Sequence, residues 1–198
     1  MNLRLFVALE PPDGVRRRLA AIEAEVKRAA GRAAADVKWV AADNIHLTLQ
    51  FLGSVPEEQL PAVKSAVSGA AAGAPALELE VRGAGGFPNA RRPRVVWAGL
   101  AGDLAPLAAL VNDLGARLAP LGFPPEDRAF SPHLTLGRAR DPHGAAGLAV
   151  GIAQAGELPS ASWRATEVTL FQSHLSPKGP RYEALLRAPL GGTTEGAR

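Results

Sequence analysis

Apolar and polar residues alternate in several short stretches of the first half of the chain, which is the pattern of half-buried strands. These predicted strands cover residues 3–9, 37–40, 45–52 and 77–82. Asp13 is predicted to be the N-cap of a helix over residues 14–30, whose apolar face is formed by Val15, Leu19, Ile22 and Val26. Ser54 and Pro56 are predicted to open a second helix that runs to residue 72.

The second half of the chain repeats this order of elements. Strands are predicted over residues 94–100, 133–136, 163–175 and 182–190, and Asp103 is predicted to cap a helix that runs to residue 118. A Gly- and Ala-rich segment after residue 136 indicates a weaker helix. The repeated order predicts an α+β fold, with one domain over residues 1–190 made of two pseudo-symmetric lobes that share a cleft. Residues 191–198 lack apolar periodicity and are expected to form a flexible tail.

The amino-acid composition indicates a globular chain and excludes several classes of chemistry. Of the 198 residues, 47% are hydrophobic and 21% are charged, which is enough apolar material for a buried core. The net charge of +3 allows an anionic partner, although an arginine-rich composition bias explains it equally well. The absence of cysteine excludes disulfides, thiolate catalysis and Cys-ligated metals. We find neither a signal peptide nor a membrane-length apolar run, so we expect a soluble cytoplasmic protein. Nothing in the sequence indicates an obligate oligomer.

One tetrapeptide occurs twice and carries the candidate chemistry. His-Leu-Thr-Leu begins at His46 and again at His133. Because side chains alternate along a strand, His46, Thr48 and Gln50 are predicted to share one face, opposite Ile45, Leu47, Leu49 and Phe51. In the second copy, His133 and Thr135 are predicted to share one face, opposite Leu134 and Leu136. Each motif therefore presents an imidazole beside a hydroxyl.

Two such faces across a cleft would surround one anion with two imidazoles and two hydroxyls. A neutral histidine can accept a proton while a charged one donates a proton, and threonine hydroxyls can hold phosphoryl oxygens. The pattern therefore favours acid–base catalysis of phosphoryl transfer. Two alternatives remain, namely two structural histidines on half-buried strands, and a metal site. The metal site is disfavoured because no carboxylate lies in register, and Asp43 fits a capping role in a turn.

The chain resembles the 2H phosphoesterase superfamily, and within it the RNA 2′,3′-cyclic phosphodiesterases, historically called 2′-5′ RNA ligases. The resemblance runs over RLFVAL at 4–9, NIHLTLQFLG at 44–53, RVVWAGL at 94–100, FSPHLTLGRA at 130–139 and VTLFQSHLSPKGPRYEAL at 168–185. It implies a bilobal fold of two antiparallel sheets flanked by helices, with the active site between the lobes.

The resemblance also implies an activity and two catalytic roles. The activity is hydrolysis of a 2′,3′-cyclic phosphate to a 2′-phosphomonoester without metal or cofactor, with an ATP-independent reversal that forms 2′-5′ linkages. The expected substrates are RNAs with cyclic phosphate ends, tRNA fragments among them, with no membrane or obligate protein partner. The resemblance makes His46 the proton donor and His133 the proton acceptor, whereas the residues themselves leave this direction open.

Further residues are candidates for binding phosphate or RNA. Arg138 matches a basic residue of the family, but strict alternation places it opposite Thr135 unless Gly137 introduces a bulge. Among the aromatic residues that could stack on a base, Phe51 is predicted to point inward, so Phe130 is the better candidate. The remaining candidates for RNA contact are Arg91, Arg92 and Tyr182, the last because it matches a late tyrosine of the family.

Two other functions remain open from the sequence. The same site could act on a small cyclic phosphate, such as a cyclic nucleotide or an ADP-ribose cyclic phosphate. The chain could also be a non-catalytic module that binds RNA ends, although both motifs are intact.

Overall fold

The computed structural model describes residues 1–140, 147–177 and 179–191. Its strands are β1 (Asn2–Leu9), β2 (Val37–Trp39), β3 (Leu47–Pro56), β4 (Leu77–Phe87), β5 (Val95–Gly102), β6 (His133–Ala139), β7 (Ala161–Ala165), β8 (Glu167–His174) and β9 (Arg181–Pro189). Its α-helices are α1 (Asp13–Ala30), α2 (Leu60–Ala72), α3 (Leu104–Leu118) and α4 (Leu148–Ala155). None of the helices within these described ranges is long and apolar enough to cross a membrane. Except for Gly191, the predicted tail lies outside the described residues.

The strands form two antiparallel sheets, which confirms the predicted α+β fold class. One sheet has the order β3-β1-β8-β9, and the other has the order β2-β6-β5-β4-β7. Each sheet combines strands from the beginning and the end of the chain. The first His-x-Thr motif therefore belongs to the first sheet, and the second motif belongs to the other sheet.

The stretch predicted as one strand over residues 163–175 is two strands in different sheets. β7 ends at Ala165 and pairs with β4, whereas β8 begins at Glu167 and pairs with β1. The chain crosses between the sheets at Thr166, whose carbonyl accepts a hydrogen bond from the Leu190 amide at 2.8 Å. The prediction of a single strand was wrong because no glycine or proline marks the crossing.

Two predicted helix starts and one predicted side-chain cap need correction. Asp13 is the first residue of α1, and Pro12 occupies the N-cap position. The second helix begins only at Leu60, because β3 continues to Pro56, which pairs with Asn2. Asp103 does occupy the N-cap position of α3, but its Oδ2 accepts a hydrogen bond from the backbone N–H of Glu78 at 2.8 Å. That carboxylate therefore ties the helix to β4 rather than capping it.

The two faces of β1 separate the main core from the cleft. Leu3, Leu5, Val7 and Leu9 point into the main core. The predicted apolar face of α1 is buried in the same core. Phe6 and Ala8 point the other way and form a small cluster with Phe171, against which Tyr182 packs. This second cluster lies directly beneath the first motif.

Candidate active site

Two β-bulges in β3 decide which of its side chains face the cleft. Thr48 pairs with Ala8 and Gln50 with Val7, so Leu49 is an extra residue between them. Phe51 pairs with Phe6 and Gly53 with Leu5, so Leu52 is a second extra residue. Directly paired residues share a face of the sheet. Thr48 and Phe51 therefore face the cleft, and Gln50 faces the interior.

This register overturns two predictions made from strict alternation. Phe51 was predicted to point inward, but it lines the cleft and its side chain is 54% exposed. Gln50 was predicted to lie beside His46, but it is buried and its Nε2 donates to the Phe123 carbonyl at 3.0 Å. Period-2 alternation holds only while the pairing is regular, and each bulge reverses it.

A bulge in β6 has the same effect on the second motif. Thr135 pairs with Trp97, whereas Gly137 pairs with Val96, so Leu136 is the extra residue. Arg138 then pairs with Val95 and lies on the same face as His133 and Thr135. The extra residue lies one position before Gly137, where the sequence suggested a bulge. The guanidinium is thereby available to the cleft.

Both motifs open onto one cleft of about 500 Å³. His46, Thr48, His133, Thr135 and Arg138 all line it, as does Tyr182. Loop and strand residues complete the lining, namely Arg4, Leu5, Phe6, Val40, Asn44, Phe51, Gly53, Ser173, Leu175 and Pro180. Two imidazoles from different sheets therefore line the same cleft.

The two histidine rings are held in the same way. Nδ1 of His46 lies 2.8 Å from the carbonyl oxygen of Asn44, and Nδ1 of His133 lies 2.7 Å from that of Ser131. A carbonyl oxygen can only accept, so Nδ1 of each ring must carry the proton and donate it. In the neutral tautomer Nε2 is then the unprotonated nitrogen. Each ring therefore has Nε2 available for proton exchange.

The surroundings of His46 are aromatic. Its ring centroid lies 4.7 Å from that of Phe6 and 5.3 Å from that of Tyr182. Burial in this setting lowers the pKa of His46 to about 4, and the positive charges of Arg16 and Arg138 act in the same direction. Its hydrogen bond to Asn44 and the carboxylate of Glu10 oppose the shift. His46 is therefore neutral at pH 7.

His133 lies in a different setting at the other wall. The ring of Phe87 meets it edge-on with centroids 5.0 Å apart, and the Trp97 centroid lies at 6.5 Å. Trp97 itself packs against Gly85 so closely that a Cβ there would lie 2.2 Å from the indole. The absence of a side chain at Gly85 thus leaves room for the indole beside His133.

Asn44 is a site residue whose role the sequence did not indicate. Its backbone carbonyl anchors His46, and its side-chain Nδ2 donates to the Pro180 carbonyl at 3.0 Å. Pro180 belongs to the loop between β8 and β9, which supplies Leu175 to the cleft. Arg4 was likewise missed, because its strand predicted only a structural role. In both cases the contact depends on chain segments that are distant in sequence.

The remaining candidates lie in different places. Tyr182 lines the cleft and packs edge-on against Phe6 with centroids 5.0 Å apart. Phe130 is half-buried against the main core and does not line the cleft. Arg91 and Arg92 are exposed in the loop between β4 and β5, outside the cleft lining, where Oδ1 of Asn89 accepts from both of their backbone N–H groups.

The side chains of the cleft suit an anion rather than a metal cation. Among the described residues, its lining contains two histidines and two arginines and no carboxylate. Across the part of the chain that the structure describes, no three His, Asp or Glu side chains are grouped as metal ligands. An anionic group in the cleft would meet positive charge and hydroxyl donors.

Two antiparallel sheets that each present a histidine and a threonine to one cleft define a two-histidine phosphoesterase. The family described as LigT like Phosphoesterase matches residues 9–97 and 101–182. The chain belongs to this family, which confirms the resemblance drawn from the two motifs.

Curated relatives and solved structures agree with this assignment. The chain is 36% identical to the RNA 2′,3′-cyclic phosphodiesterase of Methanothermobacter thermautotrophicus, over 92% of this chain and 96% of that protein. It is 35% identical to the one from Archaeoglobus fulgidus, over 92% and 98%. A crystal structure from Thermus thermophilus has a TM-score of 0.76 at 31% identity, covering 96% of this chain and 99% of that one. Escherichia coli LigT complexed with 3′-AMP has a TM-score of 0.72 at 31% identity, with the same coverage.

Proposed function

We propose that the chain hydrolyses 2′,3′-cyclic phosphate ends of RNA to 2′-phosphomonoesters. The observation that carries this proposal is the pair of imidazoles in one cleft, each with Nδ1 bound to a carbonyl and Nε2 left for proton exchange. The relatives named as RNA 2′,3′-cyclic phosphodiesterases cover nearly the whole chain and support the same substrate.

The proposed reaction is one in-line displacement at phosphorus. Nε2 of His133 takes a proton from water, and the water oxygen forms a bond to phosphorus. The bond from phosphorus to O3′ breaks, and O3′ takes the proton from Nε2 of His46. The products are a 2′-phosphate and a free 3′-hydroxyl. Thr48 and Thr135 donate hydrogen bonds to the non-bridging oxygens of the phosphate. The guanidinium of Arg138 stabilises the negative charge on these oxygens.

The low pKa of His46 makes its protonation depend on substrate. Without a neighbouring anion the ring is neutral at pH 7, because burial lowers its pKa to about 4. A cyclic phosphate brings a negative charge next to the ring, and a neighbouring opposite charge favours the protonated form. Substrate binding therefore raises the pKa of His46, and the ring takes up from solvent the proton that O3′ later receives.

The proposed mechanism needs no metal ion. The cations that line the cleft, Arg4 and Arg138, provide the charge stabilisation that a divalent metal would otherwise supply. Attack by an RNA 5′-hydroxyl in place of water would form a 2′-5′ linkage without ATP. Which of the two reactions dominates depends on the concentration of RNA ends.

The decisive experiment is incubation with a defined RNA that ends in a 2′,3′-cyclic phosphate, in the presence of EDTA. We expect turnover to a 2′-phosphate, identified by nuclease digestion and mass spectrometry. Loss of activity in EDTA, with rescue by a divalent cation, would refute the metal-independent mechanism. Faster turnover of a small cyclic phosphate than of RNA would favour the smaller substrate. Tight binding of RNA ends without any product would indicate a binding module.

Phe51 is expected to hold a base of the substrate. The residue is 54% exposed and lines the cleft, and its ring centroid lies 6.1 Å from that of Phe6. Stacking of a base on an aromatic ring contributes about 1–3 kcal/mol, so Phe51→Ala should raise KM about tenfold or more. The exposed ring contributes little to the core, so we expect an unchanged free energy of unfolding.

Val150 provides the matched control for this substitution. It is 55% exposed but lies on α4 and does not line the cleft, so Val150→Ala should change neither KM nor stability. An unchanged KM in Phe51→Ala, measured with both RNA and a cyclic mononucleotide, would contradict the stacking role.

A further inference from the structure

One row of directly paired residues crosses four strands beside the catalytic groups. It runs from Lys38 on β2 to Arg138 on β6, Val95 on β5 and Phe87 on β4. Direct partners in antiparallel strands have their side chains on the same face. Because Arg138 lines the cleft, Lys38 lies on the cleft-facing side of the sheet as well. β2 is an edge strand and Lys38 is exposed, so Lys38 lies at the margin of this face, outside the lining of the cleft.

The hairpin loop between β4 and β5 adds three cations at the same end of this sheet. The loop begins at Phe87, whose ring contacts His133, and closes where the Arg94 amide donates to the Phe87 carbonyl. Arg91, Arg92 and Arg94 are all exposed in or beside it. The side chain of Asn89 holds the backbone N–H groups of Arg91 and Arg92, which fixes the turn that presents them.

These cations have no carboxylate partners among the described residues. The ion pairs of the described chain involve Lys27, Arg28, Arg82, Arg117, Arg164, Arg181, Arg187, His174 and the N-terminus. Lys38, Arg91, Arg92, Arg94 and Arg138 are in none of them. Their charges are thus available to a polyanion.

An RNA whose terminal cyclic phosphate is bound in the cleft can extend out of it only toward its 5′ end. Its last nucleotide occupies the site, and the rest of the chain continues from that nucleotide toward the 5′ end. Every further nucleotide carries one negative phosphate. A mononucleotide has no such phosphates, so cations outside the catalytic cleft can distinguish an RNA chain from a small cyclic phosphate.

We propose that Lys38 and the loop arginines Arg91, Arg92 and Arg94 form a phosphate-binding rim for the upstream part of an RNA chain. This inference rests on the proposed function and selects its substrate class, an oligonucleotide rather than a cyclic mononucleotide. Phosphate contacts carry no base information, so the rim binds RNA without sequence preference. Arg138 belongs to the catalytic cleft and joins the rim to the scissile phosphate.

The test compares two substrates in three variants of the full chain. The substrates are an RNA of about ten nucleotides that ends in a 2′,3′-cyclic phosphate and a nucleoside 2′,3′-cyclic phosphate. The first variant is Lys38→Gln. The second is the triple variant Arg91→Gln, Arg92→Gln, Arg94→Gln. The third is a control that loses three positive charges, as the triple variant does. The control is Arg82→Gln, Arg117→Gln, Arg164→Gln, whose ion pairs are exposed and lie outside the rim.

We expect the rim variants to lose activity on the oligonucleotide alone. For Lys38→Gln, kcat/KM on the RNA should fall about fivefold, and for the loop triple variant about 20-fold or more. Turnover of the cyclic mononucleotide should stay within about twofold, because the catalytic cleft is unchanged. The salt dependence of RNA binding should become shallower by about 2 in the slope of log K against log salt for the triple variant.

Three results would refute the proposed rim. They are an equal loss of kcat/KM on both substrates, a loss in the control variant as large as in the rim variants, and no loss in either rim variant. A second measurement separates this outcome from failure of the proposed function. Fluorescence anisotropy of a labelled RNA that ends in a 2′-phosphate reports binding without turnover. If the wild-type chain hydrolyses neither substrate, the proposed function fails, and anisotropy still decides whether the rim binds RNA.

Discussion

Replacing His133 or His46 by glutamine is expected to lower kcat/KM on cyclic-ended RNA by about 10²–10⁴-fold. Glutamine keeps a polar side chain in the cleft but cannot exchange a proton near neutral pH. The two rings act on the same displacement, so the double variant should be little slower than either single variant. Single-turnover assays of the three variants against the wild type would measure this.

His174→Gln is the matched control for these substitutions. Its Nε2 lies 2.9 Å from Glu183 and the residue does not line the cleft, so we expect activity within about twofold of the wild type. Circular dichroism should show that all variants are folded. A folded His133→Gln variant that retains more than about one tenth of the activity would remove this residue from the proposed mechanism.

Acidification is expected to destabilise the chain through His46 by about 2 kcal/mol between pH 7 and pH 4.5. The folded pKa is about 4, below the ordinary histidine value of 6.5, because burial disfavours the charged ring. Below pH 6.5 the unfolded chain binds a proton that the folded chain does not bind until about pH 4. Stability is therefore fully present above pH 6.5 and is lost as the pH falls through this window.

Urea unfolding of the wild type and of His46→Gln at both pH values would measure this effect. The variant lacks the titrating ring, so the difference between the two proteins removes the contribution of carboxylates such as Glu25 and Glu80, whose pKa values are also lowered by hydrogen bonds. Equal pH dependence in both proteins would contradict a depressed pKa at His46.

The pKa of His46 can also be measured directly by NMR as the pH is varied, which links the stability effect to the mechanism. Binding of a nucleoside 2′-monophosphate should raise the pKa of His46, because its phosphate brings negative charge to the ring. A pKa that stays near 4 with the product bound would leave His46 unable to donate a proton at pH 7. The direction of catalysis would then have to be reversed, with His46 as the base.

Helix and strand periodicity in the sequence correctly predicted which side chains are buried where burial depends on immediate neighbours in the chain. The apolar face of α1, from Val15 to Val26, followed from helical spacing alone. The same rules failed at Phe51 and Gln50, because the bulges in β3 reverse the alternation. They also failed at Thr166, where a run of strand-forming residues leaves one sheet and enters the other.

The two His-x-Thr motifs, their chemistry and the α+β class were determined by the sequence itself, since strand periodicity sets a histidine and a threonine side by side. Tertiary structure alone decided that Arg138 and Phe51 reach the cleft, because bulges arise from pairing between strands that are distant in the chain. It also decided that the pKa of His46 is depressed. That shift comes from burial against Phe6 and Tyr182, which meet the ring only after β1 and β9 have joined the same sheet.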